Sequence, residues 1–156
     1  MKRQTRAISS SLFAIAAFGM ILSLATPASA QTGPYQFYSL TPCRVVDTRG
    51  ANGTNGGPSL GTARRDFAMK GNCGVPTTAK AVSINIAVTG ATNNSWLTVW
   101  PAGQAIPNTA AINFSPNDWA LSNGAIVGVA AGSPDLSVQN AVGTVAVIID
   151  VTGYFQ

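Results

Sequence analysis

Hydrophobic and polar residues alternate along several short stretches after position 31, most clearly in AVSINIAVT at 81–89. Successive side chains of a β-strand point to opposite sides of the sheet. One face of this strand therefore carries a row of aliphatic residues, Val82, Ile84, Ile86 and Val88. After Gln31, no segment repeats its hydrophobic residues with a helical period. The pattern predicts an all-β fold.

Other stretches rich in β-branched and aromatic residues are separated by clusters of Gly, Pro and Asn. They lie at 35–39, 43–48, 64–70, 96–100, 110–114, 125–130, 135–140 and 144–155. The last stretch is apolar on both faces, which predicts a central position in its sheet. Strands at this spacing are typical of a two-sheet antiparallel β-sandwich, of the jelly-roll or immunoglobulin-like type. The Gly- and Asn-rich segment at 49–61 is expected to form a poorly packed surface loop.

The first 30 residues have the three-part layout of a secretory signal peptide. A basic start (Lys2, Arg3, Arg6) precedes an apolar run at 12–25 and a small-x-small site, Ala-Ser-Ala, at 28–30. This run of ~14 residues is shorter than the about 20 residues that span a membrane. We therefore expect a signal peptide at 1–30 and a single domain at 31–156. The product would be secreted, extracellular or periplasmic, with no membrane insertion after signal cleavage.

The net charge changes once the predicted signal peptide is removed. Residues 31–156 contain six basic and five acidic side chains, a net charge of +1, whereas the full chain carries +4. No basic stripe remains that could follow a phosphate backbone. A nucleic-acid partner is therefore not expected.

Cys43 and Cys73 are the only two cysteines in the chain. In an exported protein such a pair is expected to form one disulfide. A bond that closes a segment of about 30 residues is worth roughly 3 to 4 kcal/mol on the loop-entropy model. Two cysteines without any histidine make a poor zinc site. A calcium site among the turn asparagines stays open, although the Asp-x-Asp-x-Asp-Gly spacing is missing; no metal and no cofactor are predicted.

The tripeptide Asp47-Thr48-Arg49 is close to the Asp-Thr-Gly turn of aspartic proteases. Arg49 replaces the small glycine, and it would lower the pKa of a neighbouring carboxyl group, opposing the shared proton of a catalytic pair. Residues 31–156 contain neither His nor Glu, which excludes Ser-His-Asp and Cys-His catalysis. The chain is therefore expected not to be an enzyme, and a hydrolase using Asp47 and Asp150 is the alternative.

Asp150 lies in the apolar stretch VIIDVTG, where an unpaired carboxylate would be costly. Arg44 and Arg49 are close to Asp47 in sequence, so cationic partners are available. We expect each aspartate to pair with an arginine or with backbone N–H groups, joining the first motif to the last strand. We call Arg44, Asp47, Arg49 and Asp150 the charge clamp.

Several motifs occur in a fixed order along the chain. They are LTPCRVVDTR at 40–49, GNCGVP at 71–76, AVSINIAVT at 81–89, LTVWPAG at 97–103, INF at 112–114, NGAIV at 123–127 and IIDVTGYF at 148–155. With these motifs the chain resembles a family of secreted bacterial β-rich domains, marked by a Pro-x-Arg-x-x-Asp-Thr-Arg opening and an Asp-Val-x-Gly-Tyr-Phe ending. Such domains occur alone, in tandem or attached to exported enzymes. The resemblance implies an exported β-rich domain, and it implies neither a reaction nor a ligand.

The best candidates for ligand binding are aromatic. Trp96 and Trp100 are four residues apart in WLTVW, hence on one face of a strand and ~13 Å apart. Two neighbouring indole rings could stack on sugar rings. The leading hypothesis is a secreted, non-enzymatic binding or surface-structural module, with a polysaccharide or another surface protein as its partner. The alternative is that both rings pack in a core or against a second chain. Trp119, in a predicted loop, is a further candidate.

Overall fold

The fold consists of β-strands connected by turns and loops. The computed structural model describes residues 33–156, so the predicted signal peptide lies outside the described residues. The described strands are β1 (Phe37–Asp47), β2 (Arg65–Phe67), β3 (Ala81–Thr89), β4 (Ser95–Pro101), β5 (Ile112–Phe114), β6 (Ala120–Gly128), β7 (Leu136–Asn140) and β8 (Ala146–Phe155). All strand pairings within the sheets are antiparallel.

The strands form two four-stranded sheets, in the orders β1-β8-β3-β6 and β2-β7-β4-β5. The first two strands lie in different sheets, whereas an immunoglobulin-like sandwich pairs them directly. The chain instead crosses repeatedly between the sheets, and the resulting order is that of a jelly roll. The predicted two-sheet antiparallel sandwich with one disulfide is confirmed.

The core fills the space between the two sheets. β3 has the predicted alternation, with its aliphatic residues buried and the residues between them partly exposed. β8 lies between β1 and β3, in the predicted central position. It contributes Val147, Ile149 and Val151, all fully buried. Burial of each such side chain stabilises the fold by about 1.5 to 3 kcal/mol.

β1 is a single strand where the sequence predicted two. Both of its halves pair with β8, and the register shifts between Ser39 and Cys43, around Pro42. A proline has no N–H group to donate to a neighbouring strand. It is tolerated in an edge strand or at a bulge, where that hydrogen bond is not required. The sequence pattern broke at Pro42 although the backbone continues as a strand.

β6 is longer than its sequence predicted. It pairs with β3 without a register shift, from Ala81 opposite Gly128 to Thr89 opposite Ala120. The sequence predicted a strand only at 125–130, because the preceding residues, ALSNG, lack the β-branched residues typical of strands. Pairing with the long neighbouring strand extends β6 toward its N-terminal end.

Cys43 and Cys73 form the predicted disulfide, and their Cα atoms are 5.8 Å apart. Cys43 lies in β1, and Cys73 lies in the turn before β3 with a left-handed φ of 51°. Both side chains pack against the core. The bond therefore ties the edge strand β1 to the turn that precedes β3.

The Gly- and Asn-rich loop is mostly exposed on the surface, as predicted, and specific hydrogen bonds hold it in place. The Asn55 side chain donates to the Ala68 carbonyl at 2.8 Å and accepts from the Ala68 N–H at 2.9 Å. The backbone N–H of Asp47 donates to the Asn55 carbonyl at 3.0 Å. The Arg65 guanidinium donates to the Gly56 carbonyl at 2.8 Å. These bonds fasten the loop beside the end of β1.

Candidate functional site

Trp96 and Trp100 point to the same side of β4, away from the core, but only one of them is accessible. Leu97 and Val99 face the core between them. Trp96 is exposed, with 44% of the residue accessible, whereas Trp100 is only 3% accessible. The predicted pair of exposed indole rings is therefore not formed.

The loop after β4 folds back over the outer side of the strand and covers Trp100. The Trp100 indole N–H donates to the Gln104 carbonyl at 3.1 Å. Two residues earlier, the Thr98 hydroxyl donates to the Thr109 carbonyl at 2.8 Å. Because these bonds hold the loop on the sheet, Trp100 packs beneath it and cannot stack on a sugar ring together with Trp96.

Trp119 is the most exposed tryptophan, at 91% accessibility. It directly precedes β6, and its carbonyl accepts a hydrogen bond of 2.7 Å from the Thr89 hydroxyl. The three predicted candidates thus occupy different surroundings: a covered position, an exposed sheet face and a strand start.

A cleft with a volume of about 800 Å³ opens at the end of the sandwich where β4 and β6 end. Its lining includes Tyr35, Trp100, Pro101 and Gln104, together with backbone and small side chains of 128–131. None of the lining residues carries a charge. The volume lies within the about 300 to 1,000 Å³ that is usual for small-molecule sites.

One wall of this cleft is anchored by the buried carboxylate of Asp135, which is fully inaccessible. The carboxylate accepts hydrogen bonds from the N–H groups of Met69 at 3.0 Å and Lys70 at 2.9 Å. The Asp135 carbonyl accepts from the N–H groups of Ala102 and Ala130, on two sides of the cleft. A single acidic residue at the start of a predicted strand did not reveal this anchor, because its partners are distant in sequence.

Lys70 fixes the same wall from below. Its ammonium group donates to the carbonyls of Ala130 and of Ala131, the latter at 2.8 Å. Both alanines line the cleft. Lys70 is buried and its ammonium group is bonded to these carbonyls. It therefore holds the wall in place and is not itself among the residues that line the cleft.

The two aspartates of the charge clamp each pair with an arginine. Arg44 donates to the two carboxylate oxygens of Asp150 at 2.8 and 3.1 Å. Arg49 donates to those of Asp47 at 2.8 and 2.7 Å. Arg44 also lies 3.7 Å from the Asp47 carboxylate. The four side chains form a network across β1 and β8.

The network lies on the outer face of the sheet, not in the core. The side chains of Arg44 and Asp150 are 50% and 26% accessible. The adjacent Ile149 and Val151 point to the core, whereas Asp150 points to the other side of β8. The hydrogen bonds from Arg49 hold the pKa of Asp47 at about 2, below its ordinary value.

Thr48, the middle residue of the tripeptide, has a role that the sequence did not reveal. It is buried, and its hydroxyl oxygen accepts a hydrogen bond of 2.7 Å from the Val147 N–H. The Thr48 N–H in turn donates to the Val147 carbonyl at 2.9 Å. Thr48 thus closes the ladder between β1 and the start of β8.

Comparison with known proteins adds no relative: no protein-family model and no curated protein matches the chain. The family resemblance of the motifs therefore stays an expectation. Within residues 33–156, no cluster of three or more potential His, Cys, Asp or Glu ligands could hold a metal ion. The same part of the chain contains no helix long and apolar enough to cross a membrane.

Proposed function

We propose that the chain is a secreted, non-enzymatic binding module that takes a neutral ligand in the cleft at the ends of β4 and β6. The observation that carries this proposal is the combination of a volume of about 800 Å³ with a lining free of charged residues. Ligand sites are typically concave and largely apolar, with a few polar groups that orient the ligand. A charged ligand would find no counter-ion among the residues of this lining.

A neutral oligosaccharide is the ligand class that suits these residues best. Tyr35 offers an aromatic ring for the C–H face of a sugar, and the Gln104 amide offers both a donor and an acceptor for hydroxyl groups. Trp100 contributes its packed ring to the floor, with its N–H already bonded. This assignment replaces the stacking of two indoles with one accessible ring and a polar side chain.

Export is part of the proposal. A disulfide forms and persists in oxidising compartments, and the Cys43–Cys73 bond is compatible with such a location. The signal-peptide pattern at 1–30 supports the same location.

The alternative, a hydrolase with Asp47 and Asp150 as its acid and base, is less well supported. Each carboxylate accepts two hydrogen bonds from an arginine. The pKa of Asp47 is lowered to about 2 by Arg49, whereas a catalytic acid needs a raised pKa. The network serves better as a tie between two strands.

Titration with a panel of neutral oligosaccharides and neutral apolar peptides tests the proposal. Binding is followed by the fluorescence of Trp100, after Trp96→Phe and Trp119→Phe remove the other two signals. Ala105→Phe, which places a bulky ring in the cleft without adding a tryptophan signal, is expected to abolish binding. Ala110→Phe, on the exposed loop outside the lining, is the matched control and should bind normally. Equal binding by both variants, or no binding by the parent protein, would contradict the proposal.

Substitutions at Tyr35 test whether the ligand stacks on the aromatic ring or only occupies the space of the cleft. Tyr35→Ala is expected to weaken oligosaccharide binding by about three- to tenfold, which corresponds to the loss of one aromatic contact. Tyr35→Phe retains the ring and should change the affinity much less. If a peptide binds and no oligosaccharide does, the cleft remains the binding site but the assignment of a sugar as its ligand is wrong.

A further inference from the structure

The outer edge of β6 is a row of backbone groups that have no backbone hydrogen-bond partner among residues 33–156. β6 is the last strand of the sheet β1-β8-β3-β6 and pairs with β3 on one side. Within residues 33–156, no backbone hydrogen bond connects the other side of β6 to a loop. An edge of this kind is a template for a further strand.

The features that normally protect a strand edge are missing from β6. The sequence contains no charged residue between Asp118 and Asp135, and β6 itself contains no proline. Its register with β3 is continuous over nine residues, so no bulge twists it away. In the other sheet, the edge strands β2 and β5 are only three residues each, too short to recruit a partner strand.

Apolar side chains flank this edge on both faces of the sheet. Ile126, which lies opposite Ser83 on the outer face, is 67% accessible. Leu121, opposite Val88, lies on the inner face and is also exposed. Trp119 stands at the start of the strand. A strand added beside β6 would satisfy the backbone and cover these side chains together.

We propose that β6 pairs in antiparallel orientation with β6 of a second copy of this chain, about a two-fold axis through Gly124. The sheet β1-β8-β3-β6 of one copy and the same sheet of the second copy would then form one continuous sheet of eight strands. An isologous contact of this type uses the same surface twice and closes after two copies. A neutral strand suits this arrangement, since neither copy repels the other and neither selects an oppositely charged partner.

The side chains of β6 match their own two-fold copy in size. With Gly124 opposite itself, the large Ile126 lies opposite the small Ser122 of the second copy. On the other face, Leu121 lies opposite Val127 of the second copy, an aliphatic cross-strand pair. Such directly opposite pairs are the unit of stabilisation between strands.

Sedimentation equilibrium of the full chain, produced in a secreting bacterial host, measures the association. The average mass is expected to rise from one copy to two with concentration. Ile126→Lys should raise the dissociation constant at least tenfold, because it places a charge in the contact. Ile106→Lys, at an equally apolar exposed position on the loop after β4, is the matched control and should associate like the parent.

Crosslinking tests the two-fold axis. Directly opposite residues of an antiparallel pair have Cα atoms about 4.5 to 5.5 Å apart, within the range that a disulfide spans. Both native cysteines are already bonded, so Gly124→Cys supplies the only free thiol. A Cβ atom at Gly124 meets no heavy atom within 4 Å, and the same holds for Gly132 on an exposed loop. Under a mild oxidant, Gly124→Cys should form covalent dimers much faster than the control Gly132→Cys.

Two results would each overturn the proposal. One is a mass of a single copy at every concentration of the parent protein. The other is an associated protein in which Gly124→Cys crosslinks no faster than Gly132→Cys, since that would place the contact elsewhere.

Discussion

The two edges of the sheet β1-β8-β3-β6 are built in opposite ways. β1 has a proline and two register shifts, a disulfide, an arginine on its outer face, and a loop bonded to its last residue. β6 has none of these, and it presents an uncharged edge with Ile126 beside it. Both strands border the same core, β1 through Val45 and Val46 and β6 through the partly buried Ala125 and Val127.

This difference indicates that the edges have separate tasks. An irregular, charged and crosslinked edge prevents further pairing. A regular, neutral edge permits it. The sandwich is therefore closed on the side of β1 and open on the side of β6, and the following predictions test each side.

The largest effect is expected from removal of the disulfide. Cys43→Ser combined with Cys73→Ser should lower the free energy of unfolding by roughly 3 to 4 kcal/mol, because the unfolded chain regains the freedom of the closed segment. Urea denaturation measures the change. In the parent protein, thiol labelling after unfolding without reductant should be negligible. Labelled thiols there, or an unchanged denaturation midpoint in the double variant, would contradict the tie at β1.

The next effect concerns the end of the β1 ladder. Thr48→Val keeps the shape of the side chain but leaves the buried Val147 N–H without an acceptor. We expect a loss of about 1 to 3 kcal/mol in the free energy of unfolding. Thr48→Ser retains the hydroxyl and should cost less. A loss confined to Thr48→Ser, with Thr48→Val as stable as the parent, would show that the methyl group, not the hydrogen bond, matters.

The ion pair across β1 and β8 should contribute less. Because Arg44 and Asp150 are both accessible to solvent, Asp150→Ala is expected to cost about 0.5 to 1 kcal/mol. A buried pair would cost about 3 to 5 kcal/mol when broken. Chemical denaturation in urea at low and high salt distinguishes the two cases, since only the exposed pair weakens with salt. Asp150→Asn is the uncharged control.

Acid should weaken the fold through Asp47. Its pKa is about 2 in the folded protein, below the about 3.9 of an unfolded aspartate. The unfolded state therefore binds the proton more readily, so the contribution of this pair is present above about pH 4 and is lost as the pH falls toward 2. Urea midpoints across this range should decline less in Arg49→Gln than in the parent. Parallel declines would show that Arg49 does not lower the pKa of Asp47.

The smallest effect on folding is expected at the open edge. Ile126→Lys should change the free energy of unfolding of the single copy by less than about 0.5 kcal/mol, because the side chain is mostly in water. The same variant should strongly weaken association. Urea denaturation at a concentration below that of dimerisation provides the test. A large loss of stability would place Ile126 in the core and remove the contrast with β1.

Features that depend on local pattern and compartment were predictable from the sequence. The alternation at 81–89 identified β3 and its core face, because strand periodicity requires no knowledge of distant residues. The apolar character of both faces at 144–155 placed β8 centrally. The pairing of Cys43 with Cys73 followed from there being only two cysteines in a chain predicted to be exported.

Features that depend on distant contacts were not predictable. The four-residue spacing placed Trp96 and Trp100 on one face, but it could not show that the following loop returns to cover Trp100. Either an arginine or backbone N–H groups were expected as the partner of Asp150, but the position of Asp150 on the outer face depends on the register of β8. The cleft was missed because its wall is held by Asp135 and Lys70, whose partners are carbonyl and N–H groups that any sequence supplies.

The start of β1 and the end of β8 lie side by side, which gives the domain a particular response to pulling. Gln36, just before β1, and Gln156, just after β8, exchange two backbone hydrogen bonds, of 2.9 and 3.0 Å. A force on both ends would peel β1 from β8 one hydrogen bond at a time, which requires little force. Peeling would stop at Cys43, since any further movement must drag the turn carrying Cys73 off the core. The domain would thus extend at low force until the strand is peeled as far as Cys43, and further extension would require a higher force.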